Sequence, residues 1–320
     1  MRYCQKTTIE QCVDLFKQAR TVAIFAHTRP DGDSVGACVA LRLLLEKTGK
    51  TCHMFCDTAL GETFSRFPEA VFADSIPLNE GFDLFVAVDC GDLLRTGKFS
   101  AQYARFANTL TIDHHCGEMY SRYNCLIPYA STCEIILDLY NCAGVAPDSV
   151  SATYMYMGLC TDTGNFSNSG TNTHAFRAAA QLSEAGADLQ KVSIAFFRDT
   201  TFVQQKLLSA ALGNMRSYFD GKLILLYVTK KDLEKYQLKE NATEGFVQYA
   251  INVDTARMGV ALVEHADNVY KVSARGKQFD VRSICNTFGG GGHLYASGCI
   301  INGFLEDVIE KIAREASYSI

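Results

Sequence analysis

The 320-residue sequence has no C-x-x-C pair, no excess of positive charge, no tryptophan, and no apolar run approaching the roughly 18–20 residues that span a bilayer. Its 13 cysteines are odd in number and scattered, which excludes a zinc ribbon and a disulfide framework. Most read as small buried apolar residues in a reducing compartment. A net charge of −5 excludes a protein that neutralises a long stretch of duplex, so any nucleic-acid substrate should be short and held by a few local cations. The start, MRYCQKTTIEQCVDLF, reads as a helix and lacks the basic, apolar and small-residue segments of a secretory signal. The expected compartment is the cytosol, with no membrane partner. With 48% apolar and 20% charged residues, the chain is neither disordered, collagen-like nor a long coiled coil, and its length suits two domains.

What is present is an alternation of strand and helix. Thr21–His27, Thr51–Phe55, Asp83–Val88 and Thr109–Ile112 read as short buried strands, and Ser34–Lys47 as the helix after the first of them. Helices follow over Ser131–Asn141, Asp148–Cys160 and Thr173–Ala185. This pattern implies an α/β fold with a parallel sheet and helices on both faces. A helical stretch, Phe202–Met215, leads into a second, smaller mixed α/β unit. Its strands are Lys222–Val228, Met258–Glu264, Asn268–Ala274 and Ser297–Ile301, and its helices Asp280–Asn286 and Leu305–Ala316. The expected division is a domain over 1–190, a semi-rigid helical connector over 191–205 and a second domain over 206–320.

Four acidic or histidine clusters sit at or just after the ends of these first-domain elements: His27-x-x-x-Asp31-x-Asp33, Asp89, Asp113-His114-His115 and Asp162. Ligands of open parallel sheets bind beyond the carboxyl ends of the strands, so clusters distant in sequence can converge there. Two divalent ions roughly 3.5–4 Å apart can clamp an in-line displacement at phosphorus. Asp31 and Asp33, two apart in a near-extended turn, can face the same side and serve different ions. Gly32 between them permits a tight turn, and Asp89 is the candidate bridge. Four carboxylates offset two divalent cations, and mixed carboxylate and imidazole ligands suit manganese or another first-row ion. Cys90 and Cys116 adjoin these residues and could make the site sensitive to oxidation. His53, His174 and His265 fit no motif and read as ordinary structural or surface residues.

The ordered motifs HTRPDGDSVG, VAVDCGD, TIDHHCG and TDTG resemble those of the DHH phosphoesterase superfamily. The resemblance implies two Mn2+ ions in a cleft between two domains. His27, Asp31 and Asp89 would hold one ion, and Asp33, Asp89, His114 and Asp162 the other. His115 would face the substrate phosphate, and Asp113 would orient His114.

In the second domain, four consecutive glycines precede His293, more than a turn needs, and Arg275 lies upstream. Bare backbone N–H groups can approach a phosphate closely. The segment is similar to the DHH-associated C-terminal domain of the branch that cleaves short oligoribonucleotides and adenosine 3′,5′-bisphosphate (pAp). That similarity assigns substrate binding to Arg275, Gly290, Gly291, Gly292 and His293. Leu294 and Tyr295 depart from that pattern, in which a basic residue often follows GGGGH. Family II pyrophosphatases lack GGGGH, and RecJ-type nucleases are usually longer. The expected function is a manganese-dependent phosphoesterase giving nucleoside 5′-monophosphates from short single-stranded RNA, and AMP from pAp. The alternatives are a linear or cyclic dinucleotide phosphodiesterase and a non-enzymatic nucleotide sensor. The oligomeric state is open, a homodimer being one option.

Overall fold

Short apolar segments build the first sheet. In the computed structural model, which describes residues 4–77, 81–115 and 117–320, the strands are β1 (Gln5–Lys6), β2 (Thr21–Phe25), β3 (Thr51–Phe55), β4 (Leu84–Val88), β5 (Thr109–Asp113) and β6 (Tyr123–Leu126). The helices of this unit are α1 (Ile9–Gln18), α2 (Gly32–Lys47), α3 (Ser100–Arg105), α4 (Thr132–Ala143), α5 (Ser149–Asp162), α6 (Thr173–Glu184) and α7 (Leu189–Ser193). The strand order is β1-β6-β5-β4-β2-β3 and every pairing is parallel. The chain adds β3 on one side of β2 and β4, β5 and β6 on the other. The order therefore reverses between β2 and β4, where open α/β sheets bind ligands.

Alternation along the strands sends side chains to two cores. Val22, Ile24, Val86 and Val88 pack with α1, α2, α4 and α5. Ala23, Phe25, Phe85 and Ala87 pack with Phe99 and Tyr103 on the opposite face. Both faces are covered, as a parallel sheet requires. The cover is unequal: the second face has α3 and the 3-10 segment Leu93–Phe99 before it.

Asp148 caps α5, the helix that ends in Asp162. Its carboxylate accepts from Ser151 N at 2.8 Å and pairs with Lys47 Nζ at 2.9 Å. Burial works to raise its pKa, but the Ser151 and Lys47 contacts prevail and hold it at about 2, below the ordinary 3.8. A carboxyl depressed on folding contributes stability that is present above its unfolded value and lost as pH falls through the folded one. Asp148→Ala is expected to cost about 1 kcal/mol at pH 7. In urea titrations the wild-type advantage should fade as pH drops from 3.8 towards 2.

The second unit, Thr200–Ile320, follows Met1–Asp199. Its strands are β7 (Arg216–Tyr218), β8 (Leu223–Val228), β9 (Met258–Ala266), β10 (Val269–Gly276), β11 (Gly291–His293) and β12 (Ala296–Asn302). They form a sheet in the order β11-β12-β10-β9-β8-β7, antiparallel except for β8 with β9. Helices α8 (Phe202–Gly213), α9 (Lys230–Tyr236) and α10 (Phe246–Ile251) cover one face, and α11 (Val281–Thr287) and α12 (Leu305–Ser317) the other. Of the segment 191–205, the end of α7 and a π-helical turn at Ile194–Arg198 fall in the first unit, and the start of α8 in the second. Among the described residues no helix is long and apolar enough to cross a membrane.

Two local expectations are corrected. The helix near the N-terminus begins only at Ile9, after a Thr8–Gln11 capping box, and Gln5–Lys6 pairs with β6 as an edge strand. Helix α2 begins at Gly32, so Asp31 is its N-cap and Asp33 lies in its first turn, not in an extended loop. Gly32 is needed for close approach to α5, since a Cβ there would strike the Thr161 side chain.

Candidate metal centre

Three strand ends and two helices deliver the clustered residues. His27 follows β2, Asp89 immediately follows β4, and Asp113-His114-His115 ends β5. Asp31 and Asp33 open α2, and Asp162 closes α5. The ligating atoms form three groups, each within 4.8 Å: His27, Asp31 and Asp89; Asp33, His114 and Asp162; and Asp89, Asp113, His114 and His115. Asp89 is central. Its Oδ2 lies 3.6 Å from His27 Nε2, and its Oδ1 lies 3.7 Å from His114 Nε2. Asp89 is buried and holds a positive φ of 59°, which side chains other than glycine, asparagine and aspartate rarely adopt.

The surroundings orient these groups. His27 Nδ1 bonds the Thr28 carbonyl at 2.9 Å, and His114 Nδ1 bonds the Tyr129 carbonyl at 3.1 Å. A carbonyl only accepts, so in each neutral ring Nδ1 carries the proton and Nε2 presents its lone pair to the carboxylates. His27 Nε2 is buried without a hydrogen-bond partner, as is Asp113 Oδ2, while His114 Nε2 has only the Asp162 carboxylate, at 3.1 Å. Unmatched buried polar atoms are costly. A divalent cation accepting these lone pairs removes that cost, so the residues fit such an ion.

The electrostatics agree. Burial, then the Asp162 and Asp89 charges, push Asp33 well above the usual carboxylate range. Burial works against a charged His114, yet the hydrogen bond to Asp162 and the charges of Asp33, Asp162 and Asp89 carry it up to about 9. The bonds of His115 to Asp113 and Asp89 push it up to about 10. The pocket is rich in negative charge and short of positive charge.

The hydrogen bonds correct one expectation. Asp113 Oδ1 accepts from His115 N and contacts His115 Nδ1, both at 2.8 Å, while a backbone carbonyl orients His114. Side chains two apart at a strand end share a side, and adjacent ones do not. The α4 N-terminus was not foreseen as part of the site. Thr132 N donates to Asp33 Oδ2 at 2.6 Å, Cys133 N to Asp33 Oδ1 at 3.0 Å, and Thr132 Oγ1 to Asp89 Oδ1 at 3.0 Å. The S-T-C-E capping box at Ser131–Glu134 was its readable signal.

Cys90 is buried, bonds the Val88 carbonyl at 3.3 Å, and is pushed well above the ordinary thiol range by burial. Cys116 lies outside the described residues. His53 packs edge-on to Phe82 and His265 bonds Glu240.

In the second unit, Arg275 on β10 and His293 on β11 both pair in register with Ala296 on β12. They therefore lie at the same end of the sheet, on either side of Ala296. Arg275 is partly buried, and among the described residues its guanidinium donates only to the Ala274 carbonyl. The glycine run is more structural than its composition suggests. A Cβ at Gly290 would strike the backbone of Gly298 and Cys299; Gly292 holds φ 139°, and a Cβ there would lie 2.6 Å from the Ala296 oxygen. Gly291, in contrast, has room for a side chain.

Residues 21–159 match the DHH family, N-terminal domain. The first unit thus carries a DHH-family domain, and the chain as a whole is similar to phosphoesterases. It is 27% identical over 98% of its length, and all of the relative's, to the bifunctional oligoribonuclease and PAP phosphatase NrnA of Mycoplasma genitalium. An exopolyphosphatase-related protein from Bacteroides fragilis has the same fold, with a TM-score of 0.89, 23% identity, and coverage of 97% of this chain and 95% of that one. RecJ of Thermus thermophilus in complex with Mn2+ shares the fold at a TM-score of 0.58 and 13% identity, over 98% of this chain and 55% of that one.

Proposed function

We propose that this chain uses two Mn2+ ions to hydrolyse short oligoribonucleotides to nucleoside 5′-monophosphates, and pAp to AMP. The observation that carries the reading is the Asp89 carboxylate, whose two oxygens face the Nε2 atoms of two imidazoles, His27 and His114. The substrate class rests on the likeness to the oligoribonuclease and PAP phosphatase NrnA over nearly the whole of both chains.

His27, Asp31 and Asp89 would hold one ion, and Asp33, Asp89, His114 and Asp162 the other. Bound there, such ions supply positive charge at phosphorus and acidify water near neutral pH. Asp113 fixes Nδ1 of His115, leaving its Nε2–H to donate to a phosphate oxygen as charge builds there. Residues 1–190 form the catalytic domain and 206–320 the substrate-binding domain, with 191–205 as connector. Arg275 carries a guanidinium with no carboxylate partner among the described residues, which suits it to a distal phosphate of the substrate. The backbone of Gly290–Gly292 and the ring of His293 complete that subsite.

Arg275→Ala is expected to raise KM for pAp by about 10–100-fold, the worth of a charge-assisted hydrogen bond, with Mn2+ affinity unchanged. Steady-state kinetics beside a Mn2+ titration reads both. The function itself is tested with end-labelled short RNAs, pAp, pApA and a cyclic dinucleotide, each with manganese, magnesium or chelator. Turnover of short RNA and pAp that needs manganese and stops with chelator is expected. Preference for the cyclic dinucleotide would replace this reading with a dinucleotide phosphodiesterase, and tight pAp binding without hydrolysis would replace it with a sensor.

A further inference from the structure

The geometry points to His174 as a positioning residue for the metal centre, an inference that rests on the metal reading above. His174 lies in the first turn of α6, where its backbone N donates to the Asn172 side chain at 2.8 Å. It belongs to none of the ligand groups, yet two of its contacts lead into them.

The first contact is Nδ1 to Glu134 Oε1 at 2.7 Å. Glu134 is buried, and its other oxygen accepts from Ser131 N at 3.0 Å, closing the cap of α4. The next two residues of that turn donate to Asp33, and the Thr132 hydroxyl donates to Asp89. A buried carboxylate held from one side only is free to turn, and the cap would turn with it. His174 supplies the second hold. The second contact is a stack on Tyr129, with ring centroids 4.1 Å apart and planes at 24°. The Tyr129 carbonyl bonds His114 Nδ1 and sets the ring orientation. One imidazole thus braces two supports, and those supports aim Asp33, Asp89 and His114. Loss of such outer partners typically weakens metal affinity about 10–100-fold.

Chelator-stripped wild type, His174→Ala, His174→Phe and His174→Asn are titrated with MnCl2, free Mn2+ being read by electron paramagnetic resonance and folding by circular dichroism. Wild type should take up two ions. His174→Ala should weaken one of the two steps by about 10–100-fold. His174→Phe keeps a ring for Tyr129 and loses the bond to Glu134, so it should fall between Ala and wild type. His174→Asn keeps a donor and should recover part of the loss; these two variants decide the matter if the alanine variant does not fold. Folded variants with wild-type affinities for both ions would overturn the role of His174, even with a lowered melting temperature. Uptake of fewer than two ions by wild type would refute the two-metal reading instead.

Discussion

Asp89→Asn is expected to lower turnover by about 10³-fold or more while leaving the protein folded. Asparagine is the substitution that isolates charge. Asp89 sits at φ 59°, a region asparagine tolerates and alanine enters at a cost of roughly 1–2 kcal/mol. The asparagine oxygen can still accept from Thr132 Oγ1, which reaches Asp89 at 3.0 Å. The negative charge shared between the His27 and His114 groups is what disappears. That charge also works against the fold when no cation balances it, since it helps push Asp33 upwards. The chelator-treated variant should therefore melt no lower than chelator-treated wild type. With manganese the order reverses: an ion present at 100 times its Kd adds about 2.7 kcal/mol to wild type, and much less to the variant. Calorimetry with and without MnCl2, beside turnover of pAp, reads both effects. A variant within tenfold of wild-type turnover, or stabilised equally by manganese, would remove Asp89 from the centre of the site.

The residues of this centre were legible because chemistry interrupts apolar sequence. TVAIFAH, LFVAVD and TLTID are strands that end on a charged or imidazole side chain, and parallel strands pointing one way bring such ends together. What the side chains lean on was not legible. Asp113 was assigned to its sequence neighbour His114, but pleating turns it to His115. Strands β1 and β6 are short, and Asn124 in β6 bonds the Gln5 and Ser121 carbonyls, so their strand character comes from pairing and not from composition. The glycine run read as an excess for any turn, whereas an edge strand packed closely on β12 requires small residues at Gly290 and Gly292. His174 read as an ordinary structural or surface residue with no link to the centre, because its contacts with Glu134 and Tyr129 cross 40 and 45 positions of chain. Which residues gather is a local property of sequence; how their side chains are oriented depends on contacts that only folding makes.

The packing of α2 against α5 shows the same dependence, and Gly158→Ala puts it to the test. Two effects oppose each other. In an open helix the change is stabilising by about 0.8–1.0 kcal/mol. Here a Cβ would strike the Cys133 sulfur and the Asp33 carboxylate and lie 2.9 Å from the Asp33 Cα. Backbone cannot swing aside as a side-chain tip can, and overpacking of this kind costs about 1–3 kcal/mol. With backbone in the way the clash should prevail, leaving a net loss of up to about 2 kcal/mol in urea denaturation. Turnover should suffer more than stability. Asp33 is held by Thr132 N and Cys133 N on one side and confined by Gly158 on the other, so relief of the clash moves its carboxylate. A displacement near 1 Å can cost about 10²-fold in rate. Gly213→Ala is the control, because that helical glycine has open space where a Cβ would go. It should be neutral or slightly stabilising, with turnover intact. A Gly158→Ala protein as stable and as active as the Gly213→Ala protein would mean that the α2–α5 contact yields freely and does not hold Asp33 in place.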